Sequence, residues 1–357
     1  MLRLSNEDVK TRSDNMEMMK KNDIKSWSDV GWEDWSTIIL GNGASIAIHQ
    51  GFSYQSLRDV ASKNGRLATA APIFDEFKTA DFEHVLLACW YADRVNRAMK
   101  VPSNNISVAY VEVREALIEA VHGVHPMYTD ISGDLQRVGK FASRFHTVVS
   151  LNYDLILYWA MMKFNENKRN WFKDAFCGGN FETNWEYLRS PYIGNDGATL
   201  VFYPHGSLSL AHDYLGNELK IVSSTDTARD LLDAITKQWR SGRYVPVFVS
   251  EGTSKEKIAA IRRSRYLMNV YEKVLPTVGE GVVVYGWSFD VRDKHVLDAM
   301  AGSASPPKRL AVSVFTRQPE VDQQKFCNHV RNMVEQSLLD ADVTFFDSQS
   351  PGCWNNP

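Results

Sequence analysis

Four short stretches of this 357-residue chain carry side chains that could act on a bound ligand. The first is Gly41-Asn42-Gly43-Ala44-Ser45, a turn bracketed by two glycines and followed by a hydroxyl. Glycine at 41 and 43 would let the backbone take positive φ and approach a ligand, and the amides entering the next helix would face a phosphate. The second is Asn152-Tyr153-Asp154, a carboxamide and a carboxylate two residues apart. The third is His205-Gly206-Ser207, and the fourth runs from Gly286-Trp287-Ser288 to Asp293. A phosphate turn, groups that hold water or a sugar hydroxyl, and an imidazole that takes a proton near neutrality outline a nucleotide site. The turn is neither of two familiar phosphate loops. Ile46 stands where Gly-x-Gly-x-x-Gly needs glycine, and Gly-x-x-x-x-Gly-Lys-Ser/Thr is absent.

Each stretch follows a short apolar run, and those runs set the expected architecture. Residues 36–40, 145–151, 199–203, 244–249, 281–285, 310–315 and 343–346 read as buried strands separated by helix-length segments. This pattern predicts an α/β fold, a Rossmann-like doubly wound and mainly parallel sheet, in which ligands bind beyond the carboxyl ends of the strands. A first helix is expected over 52–64, stopped by Gly65. Two amphipathic stripes follow without an intervening strand: Phe82, Val85, Leu86, Cys89 and Trp90, then Tyr110, Val113, Leu117 and Val121, ended by Gly123 and Pro126. They predict a helical insertion at about 66–140, able to cover the turn. Leu155, Tyr158, Trp159 and Met162 form a core stripe after Asn152, and Thr253 with Glu256 opens a further helix over 254–275 through a capping box. The expected organisation is a lead-in at 1–34, one domain over 35–350 and a tail at 351–357.

Composition removes several function classes. The 40 basic and 43 acidic residues nearly cancel, so no overall basic field favours nucleic acid as a direct ligand or a membrane surface. Arg262, Arg263 and Arg265 make one local basic cluster, read first as a solvated face. No apolar stretch is long enough to span a bilayer, and residues 1–8 lack the order of a secretory signal, so a cytoplasmic location is expected. Cys89, Cys177, Cys327 and Cys353 are scattered without a Cys-x-x-Cys pair, which argues against structural zinc and predicts buried, inert thiols. His122 and His125 have helical spacing, but the helix ends around them, so no metal is expected there.

The candidate residues also have purely structural readings. Asn152 is a favoured N-cap for the helix after it, and Asp154 suits a first helical turn. Ser45 is a first-turn hydroxyl, Ser288 and Asp293 could cap the following helix, and His205 could be a satisfied structural histidine.

Taken together, the four stretches resemble the sirtuins. Gly41-Asn42-Gly43-Ala44-Ser45 is similar to their Gly-Ala-Gly-Ile-Ser turn, and Asn152-Tyr153-Asp154 to their Asn-Ile-Asp. His205-Gly206-Ser207-Leu208 is similar to their catalytic histidine-glycine, and Gly286-Trp287-Ser288-Phe289-Asp290-Val291 to their late Gly-Thr-Ser stretch. Order and strand-end placement agree, and the closest likeness is to the bacterial SIR2-like group with its DUF4917 branch. Sirtuin deacylases carry a four-cysteine zinc ribbon that these cysteines cannot build, so the resemblance implies a member without the ribbon. Such proteins are often NAD+ glycohydrolases of anti-phage defence, with NAD+ as substrate. It implies Asn152, Asp154 and His205 as catalytic residues, with Gly41, Asn42, Gly43, Ala44 and Ser45 at the pyrophosphate, Gly286 and Ser288 under the adenine ribose, and Asp293 as a further cofactor-binding residue. It further implies a restraint through homo-oligomerisation, a nucleotide signal, or a complex with a defence sensor protein, because an unchecked NADase would kill its host. A nucleotide-sensing module without turnover is the alternative.

Overall fold

Apolar runs with no polar alternation are stable only when both faces of their strand are covered. The computed structural model describes residues 23–31, 35–52, 67–79, 81–213, 215–222, 230–249 and 253–357. Its strands, in chain order, are β1 (Ile24–Lys25), β2 (Thr37–Leu40), β3 (Thr147–Ser150), β4 (Phe172–Asp174), β5 (Phe176–Cys177), β6 (Asn180–Phe181), β7 (Thr199–Phe202), β8 (Gly206–His212), β9 (Glu218–Lys220), β10 (Val245–Phe248), β11 (Gly281–Tyr285), β12 (Arg309–Val314) and β13 (Asp342–Asp347). Eight of these form one sheet in the order β1-β13-β12-β11-β2-β3-β7-β4. All its pairings are parallel.

The expected Rossmann-like fold is present. Every residue of β2, β3, β7 and β11 is buried. Successive residues of β2 feed opposite cores: Ile38 and Leu40 pack into one, Ile39 into the other. The chain leaves β2 toward β3 on one side and returns through β11 on the other, so the sheet changes winding direction at the end of β2.

The insertion between β2 and β3 contains helices Ala71–Glu76, Phe82–Met99, Asn104–Val124 and Ser132–Ala142. The stripes Phe82, Val85, Leu86, Cys89 and Val113, Leu117, Val121 are buried, whereas Trp90 is only half-buried and carries Arg94 over its ring at 4.6 Å. The Asn104–Val124 helix runs through Gly123 and stops one residue later. Residues 53–64 of the expected first helix and 1–22 and 32–34 of the lead-in lie outside the described residues.

Four expectations differ from what is seen. Residues 244–249 do not join the parallel sheet: β10 pairs antiparallel with β8 in a second sheet, ordered β10-β8-β9-β6-β5. The cause is Gly206, whose φ of +75° turns the chain back beside β10, so closely that a Cβ there would lie 2.1 Å from the Val247 carbonyl. The helix expected over 254–275 breaks after Ile261, because Ser264 caps a new turn by accepting from the Leu267 amide at 3.1 Å. The Thr253–Glu256 capping box is formed.

The third difference is at the ends. Part of the lead-in is built into the fold: β1 pairs with β13, and Trp27 is buried against Phe141 and Phe346. Residues 351–357 are not a tail either, since Trp354 is buried and its indole donates to the Ala44 carbonyl at 2.8 Å. The fourth is Cys177, which is exposed, while Cys89, Cys327 and Cys353 are buried thiols.

Candidate functional site

The ends of β2 and β11 meet at the switch point and shape the turn between them. Gly41 continues the ladder by donating to the Tyr285 carbonyl at 3.0 Å, and Gly43 donates to the Gly286 carbonyl at 2.7 Å. A Cβ on Gly41 would sit 2.4 Å from Trp287 Cα, and one on Gly43 2.8 Å from Gly286 Cα. Neither glycine takes positive φ; Gly286 does, at +68°. The glycines at 41 and 43 thus serve an approach of backbone to backbone. The Ala44 amide is also used internally, donating to the Gly41 carbonyl at 2.9 Å, so two amides expected to face a phosphate are already paired.

The hydroxyl after the turn reaches across to the end of β3. Ser45 Oγ donates to Asp154 Oδ2 at 2.5 Å, and Asn152 Nδ2 donates to Ser45 Oγ at 3.0 Å and to the Gly41 carbonyl at 2.9 Å. Asn152 therefore spends its carboxamide on the turn and not on capping the helix Ile156–Asn165. That helix start is satisfied by other groups: Asp154 Oδ1 accepts from the Ile156 amide at 2.9 Å, and His125 Nε2 accepts from the Leu155 amide at 2.9 Å. His125 is thus a structural acceptor, held neutral by burial with its pKa pushed down to about 3. Burial pushes the Asp154 carboxyl above the usual carboxylate range, against the opposing pull of Ser45 and the Ile156 amide.

At the end of the neighbouring β7, His205 is only 2% exposed. The carbonyl of Leu151, the residue before Asn152, favours its protonated form, which ties His205 to the end of β3. His205 Nε2 lies 2.9 Å from His295 Nε2 and 3.9 Å from Asp293 Oδ1, and Lys257 Nζ pairs with the same Asp293 oxygen at 2.5 Å. Burial first, then the Lys257 ammonium, lower the His205 pKa to about 3 against the pull of Asp293. Against a burial that would raise it, the Lys257 ammonium, by charge and hydrogen bond, holds the Asp293 carboxyl low. Asp293, a cofactor-binding candidate in the sequence, thus lies beside His205. His295, which in sequence reads as a surface or core residue, and Lys257 are an isolated histidine and lysine in helices, with no local motif to mark them as site residues.

A cleft of about 610 Å³ opens beside the turn, within the range of nucleotide-sized sites. Asn42, Gly43, Gly286 and Ser288 line it, whereas Gly41, Ala44, Ser45, Asn152, Asp154, His205 and Asp293 do not. Ser313, Phe315, Arg317, Asn355 and Asn356 line it as well. Arg317 is the one charged side chain among the described lining residues. The site therefore has two parts: an open cleft at β11 and β12, and a closed polar cluster at β3 and β7.

These features define a Rossmann-like α/β protein with its polar residues gathered at the topological switch point. No described helix is long and apolar enough to cross a membrane. The chain belongs to the family described as a domain of unknown function, DUF4917, whose family model matches residues 38–354. No curated protein matches it significantly.

Proposed function

We propose that this protein is a SIR2-like NAD+ glycohydrolase that cleaves NAD+ to nicotinamide and ADP-ribose, in the service of bacterial anti-phage defence by NAD+ depletion. The observation that carries the reading is the Ser45–Asn152–Asp154 hydrogen-bond set, which ties the glycine turn to the end of β3 beside His205. Breaking the nicotinamide–ribose bond builds positive charge on the ribose ring and needs a water held on the opposite side. In this reading the half-buried Asn152 holds the ribose or that water through its Oδ1, Asp154 fixes Ser45 and faces the developing charge, and the buried His205, neutral near pH 7, accepts a proton through an intervening hydroxyl or water. The pyrophosphate would be met by Asn42, Ser288 and the Arg317 guanidinium, since the Gly43 and Ala44 amides are internally paired.

A second reading, nucleotide sensing without turnover, is favoured by one observation: His205 is shut away from the cleft. The same closure suits an enzyme restrained by homo-oligomerisation, a nucleotide signal or a sensor partner. Nicotinamide release from NAD+ separates the two. It is measured for wild type, Asn152→Ala and His205→Ala, alone and with lysate from phage-infected cells. Release that both substitutions abolish establishes the hydrolase; NAD+ binding with no release under any condition replaces it with the sensor.

A further inference from the structure

The Phe82–Met99 helix is apolar on two faces, and the fold covers one of them. Phe82, Val85, Leu86 and Cys89 are buried against the rest of the chain. On the far side His84, Ala88, Tyr91, Val95 and Ala98 follow at alternating steps of four and three, the spacing of a seam where one helix lies along another. That side is open. Tyr91, Val95 and Met99 are 58%, 60% and 70% exposed. At its start the exposed Phe77 ring stacks on His84 with centroids 5.2 Å apart, and just past its end Val101 is exposed too. These five large side chains present roughly 500 Å2 of apolar surface in one run along the helix, toward the upper end of what a monomer leaves in contact with water.

Charge is kept off this face. The seam holds no Asp, Glu, Lys or Arg, and of the positions beside it, 85, 92 and 99 on one side and 87 and 94 on the other, only Arg94 is charged. Its guanidinium is drawn back over the Trp90 ring, 4.6 Å from the centroid. A second copy of the face would therefore meet no opposing like charge.

We propose that this face is an interface between two copies of the chain, paired about a twofold axis that lays one Phe82–Met99 helix along the other. A twofold contact uses the same patch twice, so it requires only that the patch complement itself. Ala88, Ala92 and Ala98 leave hollows between Tyr91, Val95 and Met99, and the large side chains of the second copy fill them. The area suffices as well. Roughly 500 Å2 from each copy, with the alanines and side-chain stems beside it, brings the total buried to about 1,200 Å2, the lower bound of a stable specific interface. The same helix packs on β10, and β10 pairs with β8 at Gly206, the residue after His205, so the pairing braces that part of the fold from outside. The proposal stands independently of the NAD+ hydrolase reading.

Sedimentation velocity of the full chain between about 1 and 100 μM tests it. The wild type should form a dimer that dissociates on dilution. Val95→Asp places a carboxylate in the seam and should raise the dimer Kd at least about a hundredfold, with the circular dichroism of the folded chain retained because the side chain is exposed within one copy. Ile193→Asp, at an exposed apolar side chain in a loop, should leave the dimer as it is. Met99→Asp, one turn further along, repeats the test if Val95→Asp fails to fold. A wild type that stays monomeric at about 100 μM would overturn the proposal, as would a dimer that both seam substitutions leave intact. So would a monomer that binds lipid vesicles and loses that binding in Val95→Asp, because the face would then belong to a membrane surface.

Discussion

Gly43 and Gly286 touch backbone to backbone: the Gly43 amide donates to the Gly286 carbonyl at 2.7 Å, and a Cβ on Gly286 would lie 2.3 Å from the Ala44 nitrogen. This contact joins the turn after β2 to the turn after β11 and sets one wall of the cleft. Gly286→Ala would both strain the left-handed backbone at φ +68° and push the turns apart. A loss of at least about 2 kcal/mol in urea unfolding is expected, with weaker ADP-ribose binding. Unchanged stability would mean that the two turns are not locked together.

The Ser45 hydroxyl holds Asp154 and receives Asn152, so Ser45→Ala removes a shared partner from both. Nicotinamide release should fall about a hundredfold while the melting temperature moves by only a few degrees. Ser45→Thr, which keeps the hydroxyl, should restore part of it.

Asp154 has a folded pKa above its unfolded value, so between those values the folded protein binds the proton the unfolded chain has lost. Its ionisation therefore subtracts stability as pH rises through that window. Asp154→Asn removes this dependence and keeps an oxygen for the Ile156 amide. The variant should melt higher than wild type at neutral pH and lose that advantage in acid, with nicotinamide release impaired. Calorimetry at the two pH values checks it.

Three buried histidines pull the other way. His125, His205 and His295 have folded pKa values of about 3, 3 and 4, below the ordinary 6.5. The unfolded chain takes up these protons first, so stability is full above about 6.5 and falls as pH drops toward about 4. All three depressed values act in the same direction, which predicts a marked drop in the urea midpoint between neutral pH and about pH 5. A flat midpoint across that range would show that the histidines are hydrated.

Trp354 closes the inner side of the turn through its bond to Ala44 and its contacts with Tyr285 and Phe141. Trp354→Ala should cost about 3–5 kcal/mol and weaken ADP-ribose binding along with it. Arg317→Ala, by contrast, removes a single charge at the rim: it should raise the Kd for ADP-ribose about tenfold without a change in melting temperature. Isothermal titration and thermal melts of the two variants separate a supporting role from a contacting one.

Much of this was readable in the chain. Runs such as Gly281–Tyr285 have no polar interruption, the pattern that a strand buried on both faces favours. The four polar stretches were found because each directly follows such a run. The second sheet was not readable in the same way, because the run at 244–249 looks the same whether its neighbour is parallel or antiparallel. Only the reversal at Gly206 decides that.

By itself, the sequence determined the α/β class, the buried strands and the residues that stand at their ends, since these follow from local apolar pattern and from glycine and polar residue placement. The tertiary structure alone decided what those residues touch. It packed Gly41 and Gly43 against the Gly286–Trp287 turn after β11, with Gly43 but not Gly41 lining the cleft, and set Asp293 beside His205. It also brought His295, Lys257 and Trp354 to the site from 90, 52 and 149 residues beyond His205. The physical reason is range: strand and helix formation depend on neighbours a few residues away, whereas a hydrogen bond between distant side chains exists only after the whole sheet has closed around it.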